Sequence, residues 1–271
     1  MITRKIKVSV IMGVYNCRNY NLLKQSIMSI INQTYTDWEF LICNDGSTDD
    51  TLEKLNELKK LDSRIKILSY EENKGLANAL NTCLKNANGD FIARQDDDDV
   101  SYPNRLERQV KFLENNPQYA FVGTLADICD KNGIWGIYRV DECPDKKSFF
   151  WNSPFIHPSI MVRRTMYECV CGYRVAKETR RCEDYDMFMR AYAKGFSGYN
   201  IQEKLYKYTY ENSPDKKYRP MKYRIDEMIV RYKGFKEMGI LIKGIPYIIK
   251  PILVGMIPAS ILSKIKKKQH C

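Results

Sequence analysis

Four apolar, β-branched runs in the first hundred residues predict buried parallel strands. They are KVSVIMGV (7–14), WEFLICND (38–45), RIKILSY (64–70) and GDFIARQD (89–96). Between these runs, apolar residues recur every three or four positions and predict helices, at residues 23–31, 48–61 and 75–87. Strand–helix–strand units with short links predict a mostly parallel α/β sheet flanked by helices on both faces.

Beyond residue 100 the pattern predicts shorter elements. These are a helix capped by Ser101 with Pro103 in its first turn, two strands within 118–140 about the Asn132-Gly133 turn, a strand at 157–164 and a helix at 182–195. From about Pro214 the composition shifts to Lys, Tyr, Ile and Pro. We therefore expect a main domain at 1–214 and a helical extension at 215–271.

Four aspartates stand in a row where the fourth predicted strand ends. Like charges at that spacing repel one another unless a cation lies among them. Side chains alternate along an extended strand end, so Asp96 and Asp98 are expected on one side and Asp97 on the other. Two carboxylates with open positions suit Mn2+ or Mg2+, and the alternative is a solvated acidic loop. Asp99 is expected to serve only the following helix.

Two further polar stretches lie at the carboxyl ends of predicted strands, where sheets of this kind bind ligands. Asp45 ends a strand in a turn, and its carboxylate can accept hydrogen bonds from a nucleobase or a ribose hydroxyl. Ser47 or Thr48 is expected to cap the next helix. Lys74 and Gly75 lie at a strand–helix junction, where Lys74 either approaches a phosphate or belongs to a surface turn.

Two acidic residues and a histidine are candidates for proton or metal chemistry. Glu183 and Asp184 lie in a predicted first helical turn, where they either complement the helix dipole or supply a general base for an acceptor hydroxyl. His157 precedes a predicted strand, and it either contacts a metal or the acceptor or has a structural role.

The charge is concentrated in the tail. The chain of 271 residues carries a net charge of +11, and residues 215–271 hold 14 Lys and Arg against 4 Asp and Glu. A nucleic-acid-binding protein more often spreads basic residues over its folded face, so a basic tail favours an anionic surface as partner. The nine cysteines show no paired CxxC spacing and indicate reduced thiols in a cytoplasmic protein. MITRKIK is basic, but the apolar run after it spans only 7 residues and meets Tyr15-Asn16-Cys17-Arg18 at once, so we expect no signal peptide.

Six stretches of the chain together resemble the family-2 inverting glycosyltransferases of the GT-A fold, a Rossmann-like α/β fold. They occur in the family's order at residues 8–23, 31–51, 72–81, 89–109, 157–164 and 182–191. A dinucleotide-binding Rossmann domain is excluded because the turn GVYNCRNY after the first run has a single glycine.

The resemblance implies a role for each candidate residue. Asp98 matches the last member of the family's Asp-x-Asp element and would bind Mn2+ or Mg2+ with Asp96, while Asp96 and Asp97 would reach the ribose or metal-bound water. The family often has a small residue where this chain has Asp97. Asp184 matches the family's catalytic base, and Glu183 is the second candidate.

The donor pocket follows from the same resemblance. Asp45 would contact the nucleobase, Val14, Tyr15 and Asn16 would line the same pocket, and Arg94 would lie near the diphosphate or the base. The resemblance implies a nucleotide-sugar donor, most often a UDP-sugar, and a glycan or lipid-linked glycan acceptor in cell-surface polysaccharide synthesis.

The apolar tail is too short to span a bilayer. Its longest uncharged run, Pro251 to Ser263, has 13 residues, whereas a span needs about 20. Pro246, Pro251 and Pro258 are expected to interrupt a single long helix. Short amphipathic pieces rich in lysine predict peripheral association with the inner face of the cytoplasmic membrane, and the alternative is a helix packed on the enzyme body or in a dimer.

Three other functions are compatible with parts of the sequence. A nucleic-acid-binding protein is disfavoured by the nearly neutral residues 1–214 and by the carboxylate cluster. A sugar-phosphate nucleotidyltransferase would carry a Gly-rich basic loop after the first strand. An inactive, membrane-bound glycan-binding relative would keep the fold without turnover.

Overall fold

The computed structural model describes residues 7–210 and 220–257. Its strands are β1 (Val8–Val14), β2 (Trp38–Asp45), β3 (Ile65–Tyr70), β4 (Phe91–Arg94), β5 (Val100–Ser101), β6 (Phe121–Asp130), β7 (Gly133–Tyr138), β8 (Met161–Arg163) and β9 (Gly198–Thr209). Its helices are α1 (Tyr20–Ile31), α2 (Thr51–Lys59), α3 (Leu76–Asn86), α4 (Arg105–Asn115), α5 (Arg164–Cys169), α6 (Glu183–Ala193), α7 (Met221–Glu237) and α8 (Leu241–Gly255).

The strands of this described part form one mixed sheet. The strand order is β3-β2-β1-β4-β8-β6-β9-β5, and β7 pairs with β6. β1 to β4 are joined by parallel pairings, and β9 runs parallel to β6, whereas β8, β5 and β7 pair antiparallel. The predicted α/β sheet flanked by helices is confirmed.

The continuous apolar runs follow from burial on both faces. Ile11 and Leu41 pack in one core with α3, whereas their neighbours Val10 and Phe40 pack in a second core with α1. Gly13 brings β1 against α3, because a Cβ at this position would lie 2.9 Å from Leu76 Cδ1. Because β1 pairs parallel with both β2 and β4, the carboxyl ends of these three strands meet at one edge of the sheet. This edge positions the candidate site.

Three local predictions are wrong. Ser101 does not cap a helix but pairs in β5 with β9, and α4 begins at Arg105, beyond Pro103. Residues 157–164 do not form one strand, because a 3-10 turn (His157–Ser159) precedes the short β8. Ser47 and Thr48 do not cap α2; they bind Asn16 of the neighbouring loop instead. For Ser101 and for Ser47 and Thr48, a contact from distant sequence replaces the local one.

The C-terminal helices pack on the body. α7 buries Gly234 against Met189 of α6, since a Cβ on this glycine would lie 2.3 Å from the Met189 sulfur. α8 contains both Pro246 and Pro251, so the prediction that these two prolines interrupt the helix is wrong; Pro258 lies outside the described residues. Within residues 7–210 and 220–257, no helix has the length and apolarity needed to cross a bilayer.

Candidate active site

Buried hydrogen bonds shape the acidic loop between β4 and β5. Gln95 Nε2 donates to the carbonyl of Asp99 at 2.9 Å, and Arg105 Nη1 donates to Gln95 Oε1 at 3.0 Å. These bonds hold a turn at Asp97 and Asp98, which brings carboxylate oxygens of Asp96, Asp98 and Asp99 within 4.8 Å of one another. Strand alternation is therefore the wrong explanation for the predicted pairing of Asp96 with Asp98, because β4 ends at Arg94.

Asp99 belongs to the acidic cluster. Its side chain is 1% exposed, and Oδ1 accepts the backbone N–H of Thr209 at 2.7 Å. Burial and the charges of Asp96 and Asp98 raise its pKa well above its ordinary value. Among the described residues its Oδ2 makes no hydrogen bond. The prediction that Asp99 serves only the following helix is wrong, because its carboxylate accepts the Thr209 N–H and lies with those of Asp96 and Asp98.

The three carboxylates fit a hard divalent cation. Mn2+ and Mg2+ bind oxygen donors, and they leave positions open for water and phosphate oxygens. The buried Asp99 oxygen, which lacks a protein donor in the described part of the chain, supplies what such an ion requires. Asp96, Asp98 and Asp99 are thus the residues able to hold Mn2+ or Mg2+.

Like Arg105, Arg94 is a buried cation of the site. Its side chain is 1% exposed and forms an ion pair with Asp96. Burial alone lowers the pKa of a guanidinium, but the Asp96 charge together with the neighbouring Tyr173, Tyr206 and Tyr167 raises the pKa of Arg94 above its ordinary value. Its charge also acts on His157 and Glu183, so that one guanidinium lies among groups from three chain segments. Contact with the diphosphate stays a prediction.

Asp97 lies outside the acidic triad of Asp96, Asp98 and Asp99. It is on the side of the loop that follows β1. Burial, then the charges of Asp98 and Asp96, raise its pKa to about 7. Burial raises the pKa of the Cys17 thiol and the Asp97 charge raises it further, so within the acidic loop Asp97 lies on the side of the residues that follow β1. This position is compatible with the predicted contact with the ribose.

Glu183 and Asp184 form the first turn of α6 and face the same site. Burial, with the Asp184 charge, raises the pKa of Glu183 to about 7. Burial raises the pKa values of Tyr138 and Tyr173, and the Asp184 charge adds to both effects. A carboxylate in the first turn of α6 can take a proton from an acceptor hydroxyl group held within its reach.

His157 contacts this second side of the site. Its Nε2 lies 2.9 Å from the Tyr173 hydroxyl, and burial, followed by the Arg94 charge, lowers its pKa well below its ordinary value. Tyr173 in turn lies 2.8 Å from the Tyr167 hydroxyl. The neutral imidazole thus supports a tyrosine beside Asp184, and direct contact with an acceptor or a metal stays a prediction.

Asp45 organises the opposite end of the site. Its Oδ1 accepts the Tyr70 hydroxyl and the backbone N–H of Lys74 at 2.9 Å, and Oδ2 accepts Asn73 Nδ2 at 3.0 Å. Asp45 is thereby 3% exposed, while the Lys74 side chain is exposed. Gly75 is the N-cap residue of α3. Its φ is +88°, and no atom would lie within 4 Å of a Cβ added at this position. The carboxylate fixes the loop on which Lys74 and Gly75 lie.

The loop after β1 lies beside this end. Val14 is buried, and Tyr15, at 48% exposure, presents an aromatic face at the sheet edge. Asn16 has φ +45°; its backbone N–H donates to Ser47 Oγ at 3.0 Å, and its Oδ1 accepts the Thr48 N–H at 2.9 Å. These bonds join the loops that follow β1 and β2 into one wall.

Several residues that hold the site together carry no local signal in the sequence. Tyr70 and Asn73 fix Asp45, and Tyr206 accepts the Asp96 backbone N–H at 3.3 Å. Tyr138 and Tyr173 lie beside Asp184. Asn73 could have been found, since it belongs to the same polar stretch as Lys74. The tyrosines come from distant segments without a local pattern.

Comparisons with known proteins agree with this geometry. The family model described as glycosyl transferase family 2 matches residues 9–171. EpsE of Bacillus subtilis is 41% identical over 264 residues, which cover 97% of this chain and 94% of EpsE. An Escherichia coli UDP-Gal:alpha-D-GlcNAc-diphosphoundecaprenol beta-1,3-galactosyltransferase is 28% identical over 97% of this chain and 96% of its own length.

Solved structures share the fold. Staphylococcus aureus TarS (residues 1–349), in complex with UDP-GlcNAc, superposes with a TM-score of 0.70 at 17% identity, covering 90% of this chain and 73% of that one. The mannosyltransferase PcManGT of Pyrobaculum calidifontis, in complex with GDP-Man and Mn2+, gives 0.64 at 17% identity, covering 98% and 81%. The fold is GT-A, and the chain belongs to glycosyltransferase family 2.

Proposed function

We propose that this enzyme is a metal-dependent inverting glycosyltransferase, which transfers a sugar from a UDP-sugar to a hydroxyl of a lipid-linked glycan in cell-surface polysaccharide synthesis. The observation that carries the proposal is the cluster of the Asp96, Asp98 and Asp99 carboxylates beside the buried Arg94, whose charge also acts on Glu183, the neighbour of Asp184. The E. coli galactosyltransferase, whose name specifies a UDP-sugar and a diphosphoundecaprenol acceptor, supports the substrate classes.

The donor would lie along the wall formed by the loops after β1 and β2. Tyr15 offers a face for stacking on the nucleobase, and Asp45 holds the loop that carries Lys74 toward the phosphates. Asp96, Asp98 and Asp99 would hold Mn2+ or Mg2+, which, when bound, stabilises the negative charge of a diphosphate leaving group. Arg94 forms an ion pair with Asp96 and orients its carboxylate for this task.

Asp184 is proposed as the general base. It would accept the proton of the acceptor hydroxyl while that oxygen attacks the anomeric carbon from the face opposite the leaving group, so that the configuration inverts. Glu183 beside it is neutral in a larger fraction of molecules as pH falls below about 7, which reduces repulsion between the neighbouring carboxyl groups. Tyr138 and Tyr173 border the position of the hydroxyl.

A panel of nucleotide sugars tests the proposal. With Mn2+ present, a UDP-sugar should raise the melting temperature and be hydrolysed slowly with release of UDP. Asp184→Asn should lower transfer by about 10²- to 10⁴-fold, while donor-induced stabilisation is kept. Near-normal turnover by this variant would show that Asp184 is not the base. Release of pyrophosphate would instead identify a nucleotidyltransferase.

Two alternatives predict different results in the same experiments. A nucleic-acid-binding protein would retain DNA or RNA on filters in a salt-dependent manner and would not respond to nucleotide sugars. An inactive glycan-binding relative would leave every donor intact.

The basic extension at 215–271 is proposed to place the enzyme at the inner face of the cytoplasmic membrane, where lipid-linked acceptors would be reached. The support is its excess of 14 Lys and Arg over 4 acidic residues.

A further inference from the structure

The outward face of α8 is apolar although it faces solvent. Five large apolar side chains lie on it, with exposures of 85%, 52%, 48%, 58% and 72%: Ile242, Ile245, Ile249, Leu253 and Met256. At 3.6 residues per turn these positions fall within an arc of about 80°. Gly244 and Pro251, on the opposite side, are buried against the body. We call the five residues the outward stripe.

Basic groups flank the outward stripe. Lys243 and Lys250 fall on the same side of it, about 80–100° around the helix from Ile242. Lys264, Lys266, Lys267 and Lys268 follow in the sequence. A narrow apolar stripe with cationic flanks is the pattern of helices that lie in the interface of an anionic bilayer.

A tight contact network connects α8 to the helix of the proposed base. Lys250 lies 3.9 Å from the ring centroid of Trp151, and Tyr247 stacks on Phe150 with centroids 4.9 Å apart. Arg231 of α7 donates to the carbonyls of Phe150 and Trp151 at 2.9 and 3.1 Å. We call residues 149–152 the clamp segment.

The clamp segment also contacts the first turn of α6. The Tyr185 hydroxyl donates to the carbonyl of Phe149, and the Arg231 guanidinium lies 5.0 Å from the Tyr185 ring centroid. Tyr185 follows Asp184 directly in the chain. The orientation of α8 therefore fixes that of the helix which carries the proposed base.

We propose that the outward stripe of α8, with Trp151 at its edge, is the surface on which the enzyme rests on an anionic bilayer, and that the clamp segment holds the α6 terminus at a fixed position relative to the lipid headgroups. This inference rests on the proposed function for its account of acceptor delivery. The lysine flank and the net positive charge of residues 215–271 favour anionic lipid over a second copy of the same basic chain.

Vesicle binding tests the surface without donor or acceptor, so its result is independent of whether the proposed reaction is correct. The protein is sedimented with two kinds of vesicle. One contains phosphatidylcholine alone, and the other contains phosphatidylcholine with about 30% phosphatidylglycerol, which gives the membrane a negative surface potential. The test variants are Ile245→Glu and Ile249→Glu. The matched control is Leu61→Glu, because Leu61 is 51% exposed on the turn after α2.

Each stripe variant should bind anionic vesicles about 10- to 100-fold more weakly than the unaltered protein. Leu61→Glu should bind normally. Vesicles that carry brominated lipids should quench Trp151 fluorescence, and Trp151→Phe should remove most of that quenching while vesicle binding is kept.

Three results would overturn the inference: equal binding by stripe variants and unaltered protein, equal binding to neutral and anionic vesicles, or unquenched Trp151 in the bound protein. Conversion of a dimer to a monomer by the stripe variants, with vesicle binding unchanged, would identify a second copy as the occupant.

Discussion

The buried carboxyl group of Glu183 makes the stability of this glycosyltransferase depend on pH. Its Oε2 has no hydrogen-bond partner in the described part of the chain, and its neighbour Asp184 adds a like charge. Replacement by glutamine keeps the size of the side chain and removes the charge. Glu183→Gln therefore isolates the cost of holding this carboxylate ionised within the site.

The magnitude follows from the proton affinity. Burial and Asp184 raise the pKa of Glu183 from 4.5 to about 7. The folded state thus binds the proton more tightly than the unfolded state, and stability from this group is complete below pH 4.5 and lost as pH rises through 7. Each tenfold change in proton affinity is worth about 1.4 kcal/mol, so the loss approaches about 3 kcal/mol.

Urea unfolding followed by circular dichroism at several pH values, with EDTA present, measures this effect. Relative to the unaltered protein, Glu183→Gln should raise the free energy of unfolding by about 3 kcal/mol at pH 8 and by less than about 1 kcal/mol at pH 5. Glu57→Gln, at an exposed position of α2, should show no such dependence. A constant difference between Glu183→Gln and the unaltered protein from pH 5 to pH 8 would refute the reasoning.

Two further substitutions test the metal loop and the donor wall. Asp99→Asn should keep its bond to the Thr209 N–H but weaken Mn2+ binding in the presence of UDP by about 10- to 100-fold, measured by electron paramagnetic resonance of free Mn2+. Asp97→Asn, at a position outside the acidic triad, should weaken Mn2+ binding less. Equal weakening of Mn2+ binding by the two substitutions would argue against Asp99 as a ligand. Gly46→Ala should lower the free energy of unfolding by more than about 2 kcal/mol, because φ is +63° and the new Cβ would lie 2.3 Å from the Glu72 carbonyl carbon. Gly133→Ala (φ +112°), with no atom within 4 Å, is its control for backbone strain alone, and an equal loss in both would exclude the steric reason.

The first half of the sheet was predictable because its signals are local. A strand buried on both faces, such as β1, must be apolar at nearly every position, and the residue that follows it must lie at the ligand edge. β9 gave no comparable signal. It pairs with both β6 and the two-residue β5, and these pairings join residues separated by about 80 and about 106 positions, respectively.

The acidic loop shows the same limit at the level of one side chain. From sequence alone, an aspartate shortly before a predicted helix is best explained by capping. The partner that removes Asp99 from that role is the N–H of Thr209, 110 positions away, which no local pattern reveals. Asp45 could be singled out as a candidate because it ends a strand, but the three donors that bind its carboxylate could not be predicted.

The balance of charge in the site links metal and donor binding. The carboxyl groups of the site outnumber the two buried guanidinium groups, Arg94 and Arg105; they are Asp96, Asp97, Asp98, Asp99, Glu183 and Asp184. Protons held at raised pKa values on Asp97, Asp99 and Glu183 relieve only part of this excess. A nucleotide diphosphate adds further negative charge, so it should bind weakly until a divalent cation occupies the triad. Because such coupling is reciprocal, Mn2+ should raise the affinity for UDP by the factor by which UDP raises the affinity for Mn2+. Equal UDP affinity with Mn2+ and with EDTA would show that the triad does not face the diphosphate.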